Sequence, residues 1–228
     1  MRKVIHTGFS VCVRTLRNGL LAGLLISSLG CAHSVRTQGE YMKWLNDPSN
    51  GIVKTKHIGG FDIKVKFLPP SFLLNQDVSK NISGITPKEK DSLLNIYTHS
   101  LTFMMTLGPD EADSNTISIM YAGVKTYKDY VQRDLILNFD FKEFVHIEVG
   151  DKKYIPVLAI MENSYELGLK RNIIIAFVPD DKNDNTLFTA DDIDFIYDDE
   201  LFDLGLNHFL FKQKNLQNTP AFPELAAN

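Results

Sequence analysis

Residues 61–67, FDIKVKF, alternate apolar and polar side chains without a break. Phe61, Ile63, Val65 and Phe67 fall on one face, and Asp62, Lys64 and Lys66 on the other. This period of two marks a half-buried strand. Gly59-Gly60 before it and Pro69-Pro70 after it set its limits. Upstream, Tyr41, Trp44 and Leu45 stand at helical spacing and predict a brief helix ending at Asp47-Pro48, with Asn50-Gly51 as a turn. Thr86-Pro87-Lys88-Glu89 reads as a helix start. Thr86 can cap, Pro87 suits the first helical position, and Glu89 completes a capping box. Leu93, Leu94 and Tyr97 would be the buried side of that helix. LTFMMTL (101–107) is compatible with a strand and ends at Gly108-Pro109. A further helix is predicted over 126–136. Thr126 and Asp129 start it, and Tyr127, Tyr130, Val131 and Leu135 form its apolar side.

The last third reads as a β-meander. FVHIEV (144–149) and KYIPVLAIM (153–161) flank a Gly150-Asp151 turn, and Pro156 places the second strand at an edge or bulge. NIIIAFV (172–178), IDFIY (193–197) and LNHFLF (206–211) supply three more strands. Together the patterns predict one α+β domain, a strand-rich antiparallel sheet or sandwich with two or three short helices. No repeat or low-complexity stretch divides it.

Composition narrows the class without naming an activity. With 44% hydrophobic and 23% charged residues, the chain is neither disordered nor polytopic in a membrane. A net charge of −4 gives no basic field for nucleic acid. That charge is uneven. Residues 1–30 hold Arg2, Lys3, Arg14 and Arg17 and no carboxylate, so every one of the 28 acidic side chains lies beyond them. The basic head is followed by LLAGLLISSL (20–29), too short for a spanning helix, and then by Gly30-Cys31 and a polar stretch.

SLGC at 28–31 resembles the lipobox of bacterial lipoprotein signal peptides, with Gly30 as the small residue before the cut and Ser28 where leucine is usual. The resemblance implies removal of residues 1–30 and acylation of Cys31. Cys12 would leave with the signal, so Cys31 would have no disulfide partner in the mature chain. Two alternatives stay open: an ordinary signal peptide with an incidental thiol, and an uncleaved anchor. Residue 32 is Ala rather than Asp, which resembles the lipoproteins sorted to the outer membrane. The expected organisation is a signal peptide at 1–30, a lipidated cysteine and tether at 31–40, the domain at 41–216 and an irregular tail at 217–228. Membrane lipid would hold the protein through acylated Cys31, facing the periplasm, with an envelope protein as a possible partner.

The domain carries no Gly-rich phosphate loop, nucleophile elbow or H-E-x-x-H pair. His33, His57, His99, His146 and His208 are scattered singly. No catalytic residue, cofactor or metal is expected. The one dense cluster is acidic. In DKNDNTLFTADD (181–192), Asp181, Asn183, Asn185 and Asp192 match positions of a calcium loop, but Thr186 stands where the sharp turn needs glycine. The segment therefore reads as a turn between strands. The expected function is binding or scaffolding. A calcium-stabilised adhesin or carbohydrate-binding module is the alternative, which an exposed aromatic platform would favour. An envelope hydrolase with paired carboxylates is the third.

Overall fold

The computed structural model describes residues 35–81, 84–110, 117–162, 168–181 and 183–223. Two antiparallel sheets face each other. Sheet A has the order β1-β2-β3-β7-β6 and sheet B the order β5-β4-β8-β9. In sheet A, β1 is Val53–Ile58, β2 Phe61–Phe67, β3 Leu101–Pro109, β6 Leu158–Met161 and β7 Arg171–Phe177. In sheet B, β4 is Val145–Val149, β5 Lys152–Tyr154, β8 Asp192–Asp199 and β9 Gly205–Lys212. The α+β class, with its antiparallel strands, is as the sequence predicts.

Phenylalanine fills the space between the sheets. Phe103 of β3 lies 5.4 Å from Phe195 of β8 and 5.2 Å from Phe211 of β9, centroid to centroid. Phe177 of β7 meets Phe195 edge-on at 6.0 Å. Offset and edge-on geometries suit the ring quadrupole, so the contacts add to simple burial. Along the β1 margin, Lys54 and Lys56 lay their ammonium groups over Phe211 and Phe209. A strand with lysines on its inner face closes the sandwich there.

Among the described residues six α-helices surround the sheets, more than the two or three expected. Helix α1, Gln38–Asn46, starts with a Thr37–Glu40 capping box, so its first turn lies within the stretch expected to be tether. Helix α2, Pro70–Lys80, grows out of the Pro69-Pro70 pair, because proline is tolerated in a first turn whose N–H has no helical partner. Helix α3, Pro87–Thr98, has the predicted Thr86–Glu89 box. Its expected buried side is only half covered: Leu93 and Tyr97 are intermediate and Leu94 is exposed. Helix α4, Tyr127–Leu135, runs on into a π-helical turn at Ile136–Asp140 and a 3-10 turn at Phe141–Phe144. The short α5, Thr186–Thr189, and α6, Gln213–Gln217, complete the set, and α6 ends inside the expected tail boundary.

The meander needs correction. Residues 153–161 are two strands in different sheets. β5 pairs with β4 across the Gly150 turn, whereas β6 pairs with β7. Pro156 sits between them, where the chain leaves one sheet for the other; proline cannot donate to a ladder. No helix among the described residues is long and apolar enough to cross a membrane.

The sandwich has two distinct ends. Where β2 finishes and β3 begins lie α1, α2, α3 and the residues around Phe222. At the opposite end lie the Gly59-Gly60 turn, Asp110, the 117–124 segment, Lys170 and the 199–205 loop. Both candidate sites are at this second end.

Candidate functional site

Three tyrosines gather where α4 begins. Tyr121, Tyr127 and Tyr130 are near-parallel: Tyr121 and Tyr130 are tilted by 21° with centroids 5.5 Å apart, and Tyr127 and Tyr130 by 18° at 6.5 Å. Tyr127 is 81% exposed and Tyr121 50%, while Tyr130 packs partly against the core. With Val124, Lys125 and Thr126 they line an open cleft of about 410 Å³. The cleft offers aromatic faces, hydroxyls and an ammonium together.

Local rules put the rings there. The Thr126 hydroxyl accepts from the Asp129 N–H at 3.2 Å, and the Asp129 carboxylate accepts from the Thr126 N–H at 2.9 Å. This box fixes the helix start, so Tyr127 and Tyr130 stand three apart on one side. The Asp129 carboxyl titrates below its ordinary range because the Lys125 and Thr126 N–H groups bond its charged form. Arg133 holds Tyr121 against them. One guanidinium nitrogen donates to the Ile119 carbonyl at 3.0 Å and also to the Ala122 carbonyl, and the group lies over the Phe202 ring at 4.7 Å. Burial brings the Arg133 pKa down, against the pull of Asp129 and Asp199.

The outer edge of α4 and its π turn carries Tyr127, Val131, Leu135 and Phe139, all exposed. Of the predicted apolar side only Tyr130 packs against the core, and Tyr127, Val131 and Leu135 face solvent. The core instead takes Leu137 and Phe141 from the segment that follows. The π turn packs along β6, whose Leu158 and Ile160 are also exposed.

A second group lies at the same end. His57 and Asp62 face each other across β1 and β2, and the His57 Nδ1 bonds the Asp62 Oδ1. The other Asp62 oxygen accepts from Lys170 Nζ at 2.8 Å. Burial alone would raise the Asp62 pKa, but Lys170 and His57 bring it below the usual carboxylate value. Asp110 completes the group, with one ligand atom of each residue within 4.8 Å of the others.

The other residues singled out in the sequence are dispersed. Cys31 and His33 lie outside the described residues. His99 bonds the Asn95 carbonyl at 2.7 Å, His146 is 3.4 Å from Glu148, and His208 bonds Asp194 at 2.7 Å. Burial lowers the His146 pKa. The 181–192 segment is a turn followed by a one-turn helix. Asp181 accepts from the Asn183 N–H at 2.9 Å. Asp184 takes the Thr186 N–H, Lys152 Nζ and Tyr154 hydroxyl, each at 2.9 Å. Asp192 sits in β8 and pairs with Lys212 at 2.6 Å. The chain's own donors thus engage Asp184 on both oxygens and Asp192 through Lys212.

Neither the tyrosine array nor the His57 group was found from sequence. The first needs Tyr121 folded back onto α4, and the second needs the β1–β2 register. A second concavity, about 630 Å³, runs between α2 and α3 and is lined by Leu74, Val78, Leu94 and Phe222.

No protein-family model and no curated protein matches this chain. Among solved structures it is similar to a protein of unknown function from Burkholderia pseudomallei K96243. The identity is 11% over 83% of this chain and 96% of that one, with a TM-score of 0.36. At that score no inference rests on the likeness.

Proposed function

We propose that this chain is a lipid-anchored protein of the bacterial outer membrane, facing the periplasm, whose domain binds a ligand without transforming it. The anchor rests on the basic head, the short apolar run and Gly30-Cys31. Two or more acyl chains on Cys31 would give stable attachment. The binding surface is the tyrosine array, and the ligand class is carbohydrate. One observation carries this: three near-parallel tyrosines, two of them at least half exposed, beside an open cleft. Ring faces of this kind stack against the C–H face of a sugar, and the hydroxyls and Lys125 supply polar contacts. Calcium has no part in this reading: Asp184 is engaged by Lys152 and Asp192 by Lys212.

The test is co-sedimentation of the protein with purified peptidoglycan sacculi. The parent should pellet, and the Tyr121→Ala/Tyr127→Ala double variant should stay in solution with its fold intact. Equal pelleting of the two would overturn the carbohydrate reading. The anchor is tested separately with a labelled fatty acid: Cys31→Ala should lose the label, and a variant labelled like the parent would end that part of the proposal.

A scaffold role through protein contact is the second reading. It is favoured by the run of exposed Val131, Leu135 and Phe139 beside the exposed β6 side chains. A run of apolar side chains left open on neighbouring elements is a mark of interaction surfaces.

A further inference from the structure

We propose that His57, Asp62 and Asp110 form a binding site for one divalent transition-metal ion of the zinc or manganese kind. The argument starts from register. His57 of β1 is the direct partner of Asp62 of β2, and Asp62 is the direct partner of Gly108 of β3. Two residues beyond Gly108, Asp110 is tied to the hairpin turn, its N–H donating to the Gly60 carbonyl at 2.8 Å. Three successive strand ends therefore deliver one imidazole and two carboxylates to one point. One ligand atom from each lies within 4.8 Å of the others. Around an ion with bonds of about 2.0–2.2 Å, ligand atoms stand roughly 3.3 Å apart. Small side-chain rotations close the difference, and the His57 side chain, 66% exposed, has room to make one as it exchanges its bond to Asp62 for the ion.

The surroundings resemble the support of a metal ligand. Lys170 Nζ holds Asp62 Oδ2 at 2.8 Å, which orients the carboxylate and turns Oδ1 toward His57, so an ion would take the place of the His57–Oδ1 bond. Partners of this kind fix ligand geometry in metal centres. Lys170 is itself placed by a close backbone approach. A Cβ on Gly108 would sit 2.7 Å from the Lys170 Cα, so only glycine fits there. The donor set selects the ion. One borderline nitrogen with two hard oxygens suits zinc or manganese, whereas calcium takes six to eight oxygens. The two carboxylates supply negative charge for a dication. Three protein ligands leave a coordination position open to water or to a ligand oxygen. The bare alternative is an ion-paired staple for the β1–β2 hairpin, which would bind no ion.

The test uses the full-length protein purified in detergent and freed of metal with a chelator. Zinc, manganese and cobalt are then titrated separately, with bound metal counted by elemental analysis. The parent should retain one ion per chain beyond any held by other groups. His57→Ala should lower that affinity by more than about 100-fold, and Lys170→Met by about 10- to 100-fold. His57 is exposed, so its variant should keep the parent's circular dichroism spectrum and melting temperature in the metal-free state. Visible absorption of the cobalt form gives an independent readout, and the parent's band should be absent from His57→Ala. No stoichiometric binding of any of the three ions would overturn the proposal. So would binding that survives unchanged in both His57→Ala and Asp62→Asn.

Discussion

Helices α1 and α4 begin alike and end in opposite surroundings. Each is nine residues long, opens on a threonine capping box, and carries two aromatics three apart: Tyr41 and Trp44 in α1, Tyr127 and Tyr130 in α4. In α1, Tyr41 and Leu45 are wholly buried. Phe72 of α2 lies near-parallel to Tyr41 at 6.2 Å, and Phe222 meets it edge-on at 4.8 Å. Both come from distant parts of the chain and converge on α1. In α4 no residue is buried, and Tyr127 projects into solvent. What differs is the neighbour. The cover of α1 is aromatic carbon, whereas α4 is held mainly by one polar side chain, Arg133, bonding carbonyls of the 119–122 turn. Similar capping and aromatic spacing thus yield core at one end of the sandwich and a largely open ring array at the other. Only the covered end draws its stability from those rings.

The largest consequence falls on Tyr41. Truncation to alanine removes a buried ring and leaves a cavity, which should cost about 3–5 kcal/mol. A denaturant titration should show this as a lower midpoint with an unchanged slope. A loss below about 1 kcal/mol, the range of surface changes, would mean that the α1 end is not the sealed region described.

A second test at the covered end uses pH. Lys66 is buried beside α1 and donates to the Asn46 side chain at 2.9 Å. Burial, with Lys64 adding to it, brings its pKa down from 10.5 to about 8. The folded state then gives up this proton before the unfolded state does, so its contribution to stability rises with pH from about 8 to 10.5. Lys66→Met should flatten that rise and increase stability at neutral pH. Parallel stability curves for parent and variant from pH 7 to pH 10.5 would count against a desolvated Lys66.

At the bare end the corresponding position is Arg133. Arg133→Met removes both carbonyl bonds and should cost about 1–3 kcal/mol. It should also release Tyr121 from Tyr130, so sacculus binding should fall as far as it does for Tyr121→Ala. A variant that loses stability but keeps full binding would separate the clamp from the array.

The contrast also shows why part of the fold was legible and part was not. β2 announces itself because its inward face is apolar by strict alternation, and β7, β8 and β9 because each carries a compact run of apolar and aromatic residues. The helix starts at Thr86 and Thr126 are legible because capping is local. The orientation of α4 was not. Its inward line runs Tyr130, Arg133, Leu137 and Phe141, with a charge in it, whereas the exposed line of Tyr127, Val131, Leu135 and Phe139 is wholly apolar. Periodicity selects the purer line, and that line faces solvent. Strand β1 was missed for a related reason: its inner positions include Lys54 and Lys56, which cover rings instead of forming an apolar stripe. Helix α2 hid behind two prolines that read as a terminator but begin the next element. His57 and Asp62 were each visible in the sequence, yet their pairing depends on a strand, β1, that was not.

Tyr127 should give the smallest stability effect and the sharpest division between the two ends. Its ring is 81% exposed, and among the described residues its one ring contact is with Tyr130 at 6.5 Å. Surface substitutions away from caps and buried bonds shift stability by less than about 0.5 kcal/mol. Tyr127→Ala should stay within that range, because the Thr126–Asp129 box and the Arg133 clamp do not involve the ring and alanine is a better helix former. The same change should nevertheless weaken binding to sacculi, since it removes the most accessible face of the array. Tyr127→Phe should retain most of the binding if stacking dominates, and should behave like alanine if the hydroxyl is the recognised group. A marked loss of stability in Tyr127→Ala would place the ring in a packed interface and remove the difference between α1 and α4. Unchanged binding would leave the array without a function and shift the search to the exposed apolar run at Val131, Leu135 and Phe139.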